Sequence, residues 1–352
     1  MWGSGGGGLL GNNQSVGFAK VPVQPNTIFT DFNSCVSNPN SIINAFVTTD
    51  GKLYAWGSNT YGNIGDGSMV DRSSPVQIGT DTNWSIIDAS DTHTVAIKTD
   101  GTLWAWGIND YGQLGNNSII DASSPQQIGT NTNWTKCAVG NKFTIAITNT
   151  GTMWSCGYNY NGQLGITNRV DKSSLTQILG NTWSDVKTGL VNSVAKKTDN
   201  TLWLWGDNAS GQLGNASSGS DYNPSPIQES TGSAWTTFTC MNTAVAAIKS
   251  GNIYTWGQNT AGSLAQGAVG NISTPTQILF NDGTFTSVAG AAETLLALKS
   301  DGTIWGAGDK SSYELDNNNN LPDNTDSIIQ VAIGKTWANV FAIKNTIIAK
   351  EA

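Results

Sequence analysis

The sequence predicts an all-β fold, a seven-bladed β-propeller of four-stranded antiparallel blades, from its repeats and from the pattern inside each repeat. A glycine that ends a short apolar run recurs at spacings of 54, 50, 50, 49, 51 and 51 residues. The seven equivalent positions are Gly3, Gly57, Gly107, Gly157, Gly206, Gly257 and Gly308. Each unit contains short runs of alternating apolar and polar residues between Gly, Asn, Asp and Ser, which is typical of strands and turns. Since such a unit cannot bury both of its faces alone, we expect the units to stack around a ring.

Four strands are predicted in each unit, and the unit that begins near Trp84 shows them most clearly. Its first run is NWSIIDAS, the second is TVAIK, the third is TLWAWG and the fourth is SSPQQI. Between the second and third runs lies Asp100-Gly101, which supplies the positive φ angles that a tight hairpin needs. The same pair recurs as Asp50-Gly51 in the preceding unit. The second and third strands are therefore predicted to be neighbours.

Two aromatic positions in each unit account for most of the 14 tryptophans and are predicted to form the core between blades. A large aromatic side chain buries roughly 150 to 250 Å², which is enough to join neighbouring sheets. The third-strand position holds Trp2, Trp56, Trp106, Cys156, Trp205, Trp256 and Ala307. The first-strand position is assigned to Phe29, Trp84, Trp134, Trp183, Trp235, Phe285 and Ile328.

The two ends of the chain are predicted to share one blade. The chain begins MWG, which corresponds to the end of a third strand, and it ends VFAIKNTIIAKEA, which resembles an earlier part of the repeat. We therefore expect residues from about Ile328 to supply the early strands of this blade and KVPVQP to supply its last strand, so that no open edge is left. As one domain over 1–352, the predicted blades span 29–78, 84–128, 134–178, 183–229, 235–278 and 285–327, with the seventh formed by 328–352 and 1–24.

The repeated phrase, AIKTDGTLWAWGINDYGQLG at 96–115, resembles the regulator of chromosome condensation repeat family. The resemblance covers essentially the whole chain, and it implies a seven-bladed propeller closed by both termini. The founding member of the family is an exchange factor for a small GTPase that also contacts chromatin. No residue of that activity can be matched here, so the resemblance implies the fold and leaves the function to be argued from other features.

The charge of the chain argues against nucleic acid as a partner. There are 17 Lys and Arg residues against 25 Asp and Glu, which gives a net charge of −8, and no basic tail or Lys/Arg-rich run is present. The segment MWGSGGGGLLGNN lacks the basic start and the apolar run of a signal peptide, and no apolar stretch has membrane length. We therefore expect no nucleic-acid partner, no membrane insertion and synthesis in a cytoplasm.

Residues suited to catalysis or metal binding are scarce, so we predict a protein that is not an enzyme and uses no cofactor or metal. A single histidine, His93, would have to serve any Ser-His-Asp, Cys-His or multi-histidine zinc site. The four cysteines show no CxxC spacing and are interpreted as buried free thiols. The repeated Asp71, Asp121 and Asp171 are interpreted as turn caps, because the dense spacing of a calcium loop is missing.

Candidate binding residues come from segments that depart from the repeat, because loops on a rigid scaffold carry function. Three segments do so, at 34–44, 215–225 and 309–324, and the last is interpreted as replacing a fourth strand. Their candidate residues are Asn38, Asn40, Ser220, Asp221, Tyr222, Tyr313, Asn318 and Asn319. A second candidate set is interpreted as sharing one repeat offset and forming a positive rim: Lys98, Lys197, Lys249, Lys299 and Lys344. Drift in unconstrained loops and solvated strand-end lysines remain the alternatives.

These features favour a structural or binding function over catalysis. Only 12% of the residues are charged, and the repeats are nearly verbatim, as in family members encoded by bacterial viruses. We therefore interpret the chain as a bacteriophage virion component, a tail, fibre or capsid-decorating protein that contacts other virion proteins or a host surface molecule, with several copies in the particle. The alternative is a free protein-binding module, exchange-factor-like or inhibitor-like, that is cytoplasmic or secreted. A glycan-active enzyme is a third alternative, which would need two carboxylates brought together from different blades.

Overall fold

The structure, a computed structural model, describes residues 1–4, 9–13, 18–19, 32–36, 38–219, 222–267, 270–280, 283–309, 315, 324–344 and 346–352. Over these residues, 28 strands pair into seven four-stranded antiparallel sheets. Each sheet is a blade, and in six of the seven the strands lie side by side in chain order from the first to the fourth. The predicted all-β propeller of four-stranded antiparallel blades is confirmed.

The first three blades are built from consecutive strands. Blade one contains β3 (Phe32–Cys35), β4 (Ile43–Thr48), β5 (Leu53–Gly57) and β6 (Arg72–Gln77). Blade two contains β7 (Trp84–Ala89), β8 (His93–Lys98), β9 (Leu103–Gly107) and β10 (Ala122–Gln127). Blade three contains β11 (Trp134–Gly140), β12 (Phe143–Thr148), β13 (Met153–Gly157) and β14 (Lys172–Ile178).

The next three blades follow the same order. Blade four contains β15 (Trp183–Thr188), β16 (Asn192–Lys197), β17 (Leu202–Gly206) and β18 (Asn223–Gln228). Blade five contains β19 (Trp235–Cys240), β20 (Ala244–Lys249), β21 (Asn252–Gly257) and β22 (Ile272–Gln277). Blade six contains β23 (Phe285–Gly290), β24 (Thr294–Lys299), β25 (Ile304–Asp309) and β26 (Asn324–Val331).

Blade seven is shared by the two ends of the chain, as predicted. It contains β27 (Trp337–Ile343) and β28 (Thr346–Glu351) from the C-terminal end, with β1 (Trp2–Ser4) and β2 (Phe18–Ala19) from the N-terminal end. Strands β1 and β28 pair antiparallel, with Trp2 opposite Ile347. The described fourth strand is β2 and precedes the predicted segment KVPVQP, all of which lies outside the described residues.

The assignment of Ile328 to the first strand of blade seven was wrong. Ile328 lies on β26, the fourth strand of blade six, where Gln330 pairs with Trp305 as Gln127 pairs with Trp104 in blade two. A fourth strand is therefore present after the irregular segment 309–324, contrary to the prediction. The first-strand aromatic of blade seven is Trp337, which pairs with Glu351 on the neighbouring strand.

The register of the first blade also differs from the prediction. Phe32, and not Phe29, pairs with Thr48 as Trp84 pairs with Lys98 in the next blade. Phe29 itself lies outside the described residues. The predicted hairpin is confirmed, because the amide of Gly101 donates to the carbonyl of Lys98 at 2.9 Å and Gly101 has a φ of 78°.

Tryptophans on the third strands join neighbouring blades, as predicted. The indole Nε1 of Trp106 is buried and donates to the carbonyl oxygen of Asn63 in the preceding blade at 2.9 Å. Trp205 makes the equivalent bond to Gln163 at 2.8 Å. Gly65 has no room for a side chain, because a Cβ there would lie 2.5 Å from Nε1 of Trp106. Each such contact buries aromatic surface and satisfies its polar atom at the same time.

The first strands of all seven blades line a central cavity of about 350 Å³.

The two ends of the ring differ in what they carry. We call the end with the turns between second and third strands the turn rim, for example 98–102. We call the opposite end the long-loop face, since it carries the loops after the third strands, such as 58–71, 108–121 and 158–171. In the described part of the chain, no helix has the length and apolar character to cross a membrane.

Candidate functional site on the long-loop face

A buried asparagine holds each of three successive long loops in one conformation. Asn109 is fully buried, and its side-chain amide donates to the carbonyl oxygens of Ser118 at 3.0 Å and Ile120 at 3.1 Å. Its side-chain oxygen accepts a bond from the amide of Leu114 at 3.0 Å. Asn59 and Asn159 make the equivalent contacts in blades one and three. We call this arrangement the loop clamp.

The repeated aspartates complete the loop clamp. The carboxylate of Asp121 accepts the backbone N–H of Asn109 at 2.8 Å. Asp71 and Asp171 accept the same bond from Asn59 and Asn159, each at 2.7 Å. These aspartates do act as caps, but each caps an N–H at the start of its loop, 12 residues earlier, and not its own turn as interpreted from the sequence. No group of three or more metal-ligating side chains occurs among the described residues.

Each clamped loop exposes apolar side chains beside its aspartate. Met69, Val70, Ile119, Ile120 and Val170 are between 59% and 75% exposed. Their backbone is fixed by the loop clamp. Backbone hydrogen bonds also join each of these loops to the next blade, from 67 to 123, from 117 to 173 and from 167 to 224. Since an exposed apolar group gains nothing for folding, three rigid loops that carry such groups indicate an interaction surface.

Four tyrosines and an arginine continue this surface across blades two to four. The rings of Tyr111 and Tyr158 are 4.8 Å apart, those of Tyr158 and Tyr160 are 6.4 Å apart, and those of Tyr160 and Tyr222 are 6.3 Å apart. The guanidinium carbon of Arg169 lies 4.7 Å from the centre of the Tyr160 ring and 4.4 Å from that of Tyr222. We call these five residues the Tyr-Arg cluster. Burial, together with the neighbouring tyrosine hydroxyls and Asp171, raises the pKa of Tyr158.

Asn38 and Asn40, two of the predicted binding residues, are buried inside the ring. The side-chain amide of Asn38 donates to the carbonyl of Val139 and lies 3.5 Å from the carboxylate of Asp88, while its side-chain oxygen accepts the N–H of Asn40 at 2.9 Å. Asp88 also accepts the N–H of Val139 at 2.9 Å. The irregular loop of blade one is therefore tied to blades two and three, and a role for these asparagines in partner binding stays a prediction.

Of the other predicted loop residues, only Tyr222 is described, and it belongs to the Tyr-Arg cluster. Tyr222 is 36% exposed. The remaining candidates lie outside the described residues: Ser220, Asp221, Tyr313, Asn318 and Asn319.

Four of the five predicted rim lysines share one position on the turn rim, where each packs against an aromatic ring. The ammonium group of Lys98 lies 3.9 Å from the centre of the Trp104 ring and pairs with Asp81 at 2.6 Å. The ammonium group of Lys197 lies 3.7 Å from the Trp203 ring centre. Lys249 and Lys299 make similar contacts at 5.4 Å and 5.9 Å, with Trp235 and Trp305 respectively.

The fifth lysine, Lys344, was placed in this set wrongly. It lies in the turn between β27 and β28, where its carbonyl accepts the N–H of Ala292 at 3.0 Å. The register gives Glu351 as the residue of blade seven that corresponds to Lys98. The positive rim of five lysines therefore does not form as predicted.

The single histidine and the four cysteines lack the properties of catalytic groups. His93 is fully buried on β8, its ring nitrogens lie 3.0 Å from the Thr92 hydroxyl and 2.8 Å from the Thr144 hydroxyl, and burial lowers its pKa to about 3. All four cysteines are free thiols. Burial raises the pKa of Cys35, Cys156 and Cys240 to about 12, and it raises that of Cys137 as well. None of these groups has the lowered pKa of a reactive thiol or the accessibility of a general base.

The sequence carries a signal for the clamped loops, although none of the predicted binding residues lies in them. The segments SMVD, SIID and NRVD end at the same offset in three successive units, and each places apolar residues before the capping aspartate in a loop that is otherwise polar. These apolar residues recur in a loop that lies outside the sheet, so their side chains can be expected to be exposed to solvent. The Tyr-Arg cluster has no such periodic signal, since its members come from different offsets.

Comparison with protein families identifies the repeat. A model described as the regulator of chromosome condensation (RCC1) repeat matches residues 50–97, 100–147, 199–248 and 250–298. A second model of the same repeat matches residues 84–113 and 134–163. These matches cover more than half of the chain.

Curated relatives match over shorter stretches. The chain is 31% identical over 119 residues to Protein RCC2 homolog of Xenopus laevis, an alignment that covers 33% of this chain and 23% of that protein. It is 28% identical over 130 residues to E3 ubiquitin-protein ligase HERC2 of Homo sapiens, covering 36% of this chain and 3% of that protein. The chain thus spans less than a quarter of the length of these relatives.

Solved structures share the fold over the whole chain. The structure of human WBSCR16 superposes with a TM-score of 0.86 at 16% identity, covering 100% of this chain and 98% of that one. Yeast RCC1 (Prp20), in its complex with Kap60, superposes with a TM-score of 0.84 at 18% identity, covering 100% and 88%. Identities this low show the fold alone.

Proposed function

The chain belongs to the regulator of chromosome condensation (RCC1) repeat family, and on that premise we propose that it is a non-enzymatic protein-binding propeller that engages its partner through the long-loop face. The observation that carries the proposal is the set of five apolar side chains that the clamped loops expose. Rigid loops reduce the entropy that is lost on binding, so a preorganised apolar surface supports association more effectively than a mobile one.

The composition of the surface supports a protein as the partner. Tyr and Arg are enriched at the centres of protein interfaces, where alanine substitution costs the most binding energy. Among the structures that share the fold, Prp20 was solved bound to Kap60, and a second structure of it was described with its binding properties to Gsp1p and histones. Prp20 is thus a propeller of the same fold that binds other proteins.

The interpretation as a bacteriophage virion component gains no support from the relatives named above. A free protein-binding module, the alternative drawn from the sequence, agrees better with them. The location of this protein, in a cell or in a virus particle, stays a prediction. Exchange-factor activity would be a special case of protein binding, and no residue in the chain is assigned to it.

A photo-cross-linking experiment on the full chain tests the proposal. A photoreactive amino acid replaces Ile119 in one variant and Leu279, which is 92% exposed on the turn rim, in a second. Each is irradiated in extract of the natural source, and the cross-linked species are identified by mass spectrometry. We expect one discrete protein adduct from position 119 and none from position 279.

A matched pair of triple variants checks that the adduct reflects specific binding. The first carries Val70→Asp, Ile120→Asp and Val170→Asp on the long-loop face, and the second carries Leu179→Asp, Leu279→Asp and Ile333→Asp on the turn rim. With the photoreactive residue at position 119, the adduct should disappear in the first variant and persist in the second. An adduct that still forms in the first variant, or equal adducts from positions 119 and 279, would contradict the proposal.

A further inference from the structure

The two arginines of the chain occupy contrasting environments. Arg72 is paired with Asp66, with Nη2 to Oδ2 at 2.5 Å and Nε to Oδ2 at 2.7 Å. Arg169 is exposed, and no carboxylate of the described residues forms an ion pair with it. One arginine therefore has its charge satisfied inside the loop, while the other presents its charge to solvent.

Arg169 is nevertheless held in place. Its guanidinium lies over the rings of Tyr160 and Tyr222, and its Nε donates to the carbonyl of Tyr160. Among the described residues, Nε is the one guanidinium nitrogen that donates a hydrogen bond, so the terminal N–H groups remain available to a ligand. A planar guanidinium fixed by two rings and one hydrogen bond loses less conformational entropy on binding than a free side chain.

Apolar side chains adjoin this charge. Val170 follows Arg169 directly in the clamped loop of blade three, and Ile119 and Ile120 occupy the corresponding loop of blade two. Tyr111 and Tyr158 bring the two loops into contact, because their rings are 4.8 Å apart. A partner that covers Val170 would therefore meet the guanidinium beside it, and the isoleucines lie on the adjoining loop.

Resting on the proposed function, we infer that Arg169, Tyr160 and Tyr222 form a carboxylate-binding subsite, and that the partner presents an apolar segment with an Asp or Glu beside it. The guanidinium fork matches the two oxygens of a carboxylate, and such charge-assisted pairs are about twice as strong as neutral hydrogen bonds. The apolar contacts supply affinity, and the carboxylate fixes the register of the partner on the surface.

The inference is tested with a random peptide display library selected against the full-length protein. Selected peptides should combine apolar residues with an adjacent Asp or Glu. The strongest peptide is then synthesised together with a form in which that acid is replaced by its amide. Their affinities are measured against the wild type, Arg169→Gln and, as a control, Arg72→Gln, with thermal melting used to confirm that each variant is folded.

We expect Arg169→Gln to weaken the acidic peptide by about tenfold or more, and the amide peptide to bind the wild type equally weakly. The two changes should not add when they are combined, because they remove the same contact. Arg72→Gln should bind as the wild type does.

Three results would overturn the inference. In the first, the selected peptides carry no acidic residue. In the second, Arg169→Gln binds the acidic peptide as the wild type does, while the triple aspartate variant of the long-loop face does not bind it; the proposed function then stands without the carboxylate subsite. In the third, neither variant loses binding, which contradicts the subsite and the proposed surface together.

Discussion

The two ends of the ring use the same contact, a cation over an aromatic ring, in opposite ways. On the turn rim, Lys98 is only 7% exposed, covers Trp104 and is paired with Asp81. On the long-loop face, Arg169 covers Tyr160 in the open and has no acidic partner among the described residues. Burial and charge pairing thus decide whether such a contact stabilises the fold or displays a charge.

The difference extends to what holds each end together. The turn rim is held by indole rings packed on one another, as in the T-shaped pair of Trp84 and Trp104, whose centres are 5.8 Å apart. The long-loop face is held by the buried asparagine amides and the exposed aspartates of the loop clamps, and by the buried carboxylate of Asp88. In these loops the polar groups form hydrogen bonds within the protein and the apolar side chains face solvent. In most loops the polar side chains face solvent.

The largest effect should come from an indole on the turn rim. Trp84 is 2% exposed and contacts both Trp104 and Trp106. Trp84→Ala should lower the free energy of unfolding by about 3 to 5 kcal/mol, as expected for a large aromatic removed from a core. Tyr160→Ala, on the long-loop face at 58% exposure, should change it by less than about 1 kcal/mol. Urea unfolding measures both, and equal losses would show that the two ends do not differ in this way.

A pH-dependent effect should come from beneath the long-loop face. Burial raises the pKa of Asp88 to about 6 from its usual 3.8, in opposition to the charge of Lys187 and the hydrogen bonds from Val139 and Asn38. Because the folded-state pKa is the higher one, folding favours the protonated acid. The stability that this group contributes is present below pH 4 and is lost as the pH rises to about 6. The difference, 6 − 3.8, is about 2 pKa units and corresponds to about 3 kcal/mol.

Asp88→Asn keeps an oxygen that can accept the N–H of Val139, but it cannot ionise. We expect its unfolding free energy to approach that of the wild type near pH 4 and to exceed it by up to about 3 kcal/mol at pH 7. Urea unfolding at a series of pH values gives the difference between the two proteins. A difference that is the same at every pH would show that Asp88 does not titrate in this range.

Breaking one loop clamp should have a smaller effect. Asn109→Ala removes the partners of the Ser118 and Ile120 carbonyls and of the Leu114 amide, which should cost about 1 to 3 kcal/mol. Hydrogen exchange of the 108–121 amides should increase with it. Asn131→Ala, at an exposed position on the turn rim, is the control and should leave both measurements unchanged. If both variants exchange alike, the clamp does not hold the loop.

The prediction of the fold was correct in detail where the same local residues repeat. It failed where a short sequence similarity was used to assign a strand without checking which residues pair across the sheet. Asp-Gly turns and the Trp positions gave the hairpins and the contacts between blades. The segment FAIK at 341–344 resembles the second strand of other units, but it ends the first strand of blade seven, and the true counterpart is the run that ends at Glu351. The third strand of blade seven comes from the other end of the chain, so no Asp-Gly pair like those of blades one, two and six marks its register.

The candidate site was harder to predict, because it depends on which side chains a loop turns outwards. The repeated aspartates were recognised as caps but were assigned to their own turns, and the buried Asn109 partner that makes the loop rigid is distant along the chain from the carbonyls of Ser118 and Ile120. Contacts between loops of different blades, such as that of Arg169 with Tyr222, follow from the ring geometry and have no sequence spacing of their own.

The smallest effect is the one that separates the two cations most directly. Lys98→Ala removes a buried stem, a stacked ammonium group and the ion pair with Asp81, so the free energy of unfolding should fall by about 1 kcal/mol. Arg169→Ala removes an exposed side chain and should change stability by less than about 0.5 kcal/mol. Peptide binding should show the opposite order, with Arg169→Ala weakened and Lys98→Ala unaffected. If both substitutions move stability and binding together, the two ends of the ring share one role, and the division between a stabilising rim and a recognising face is incorrect.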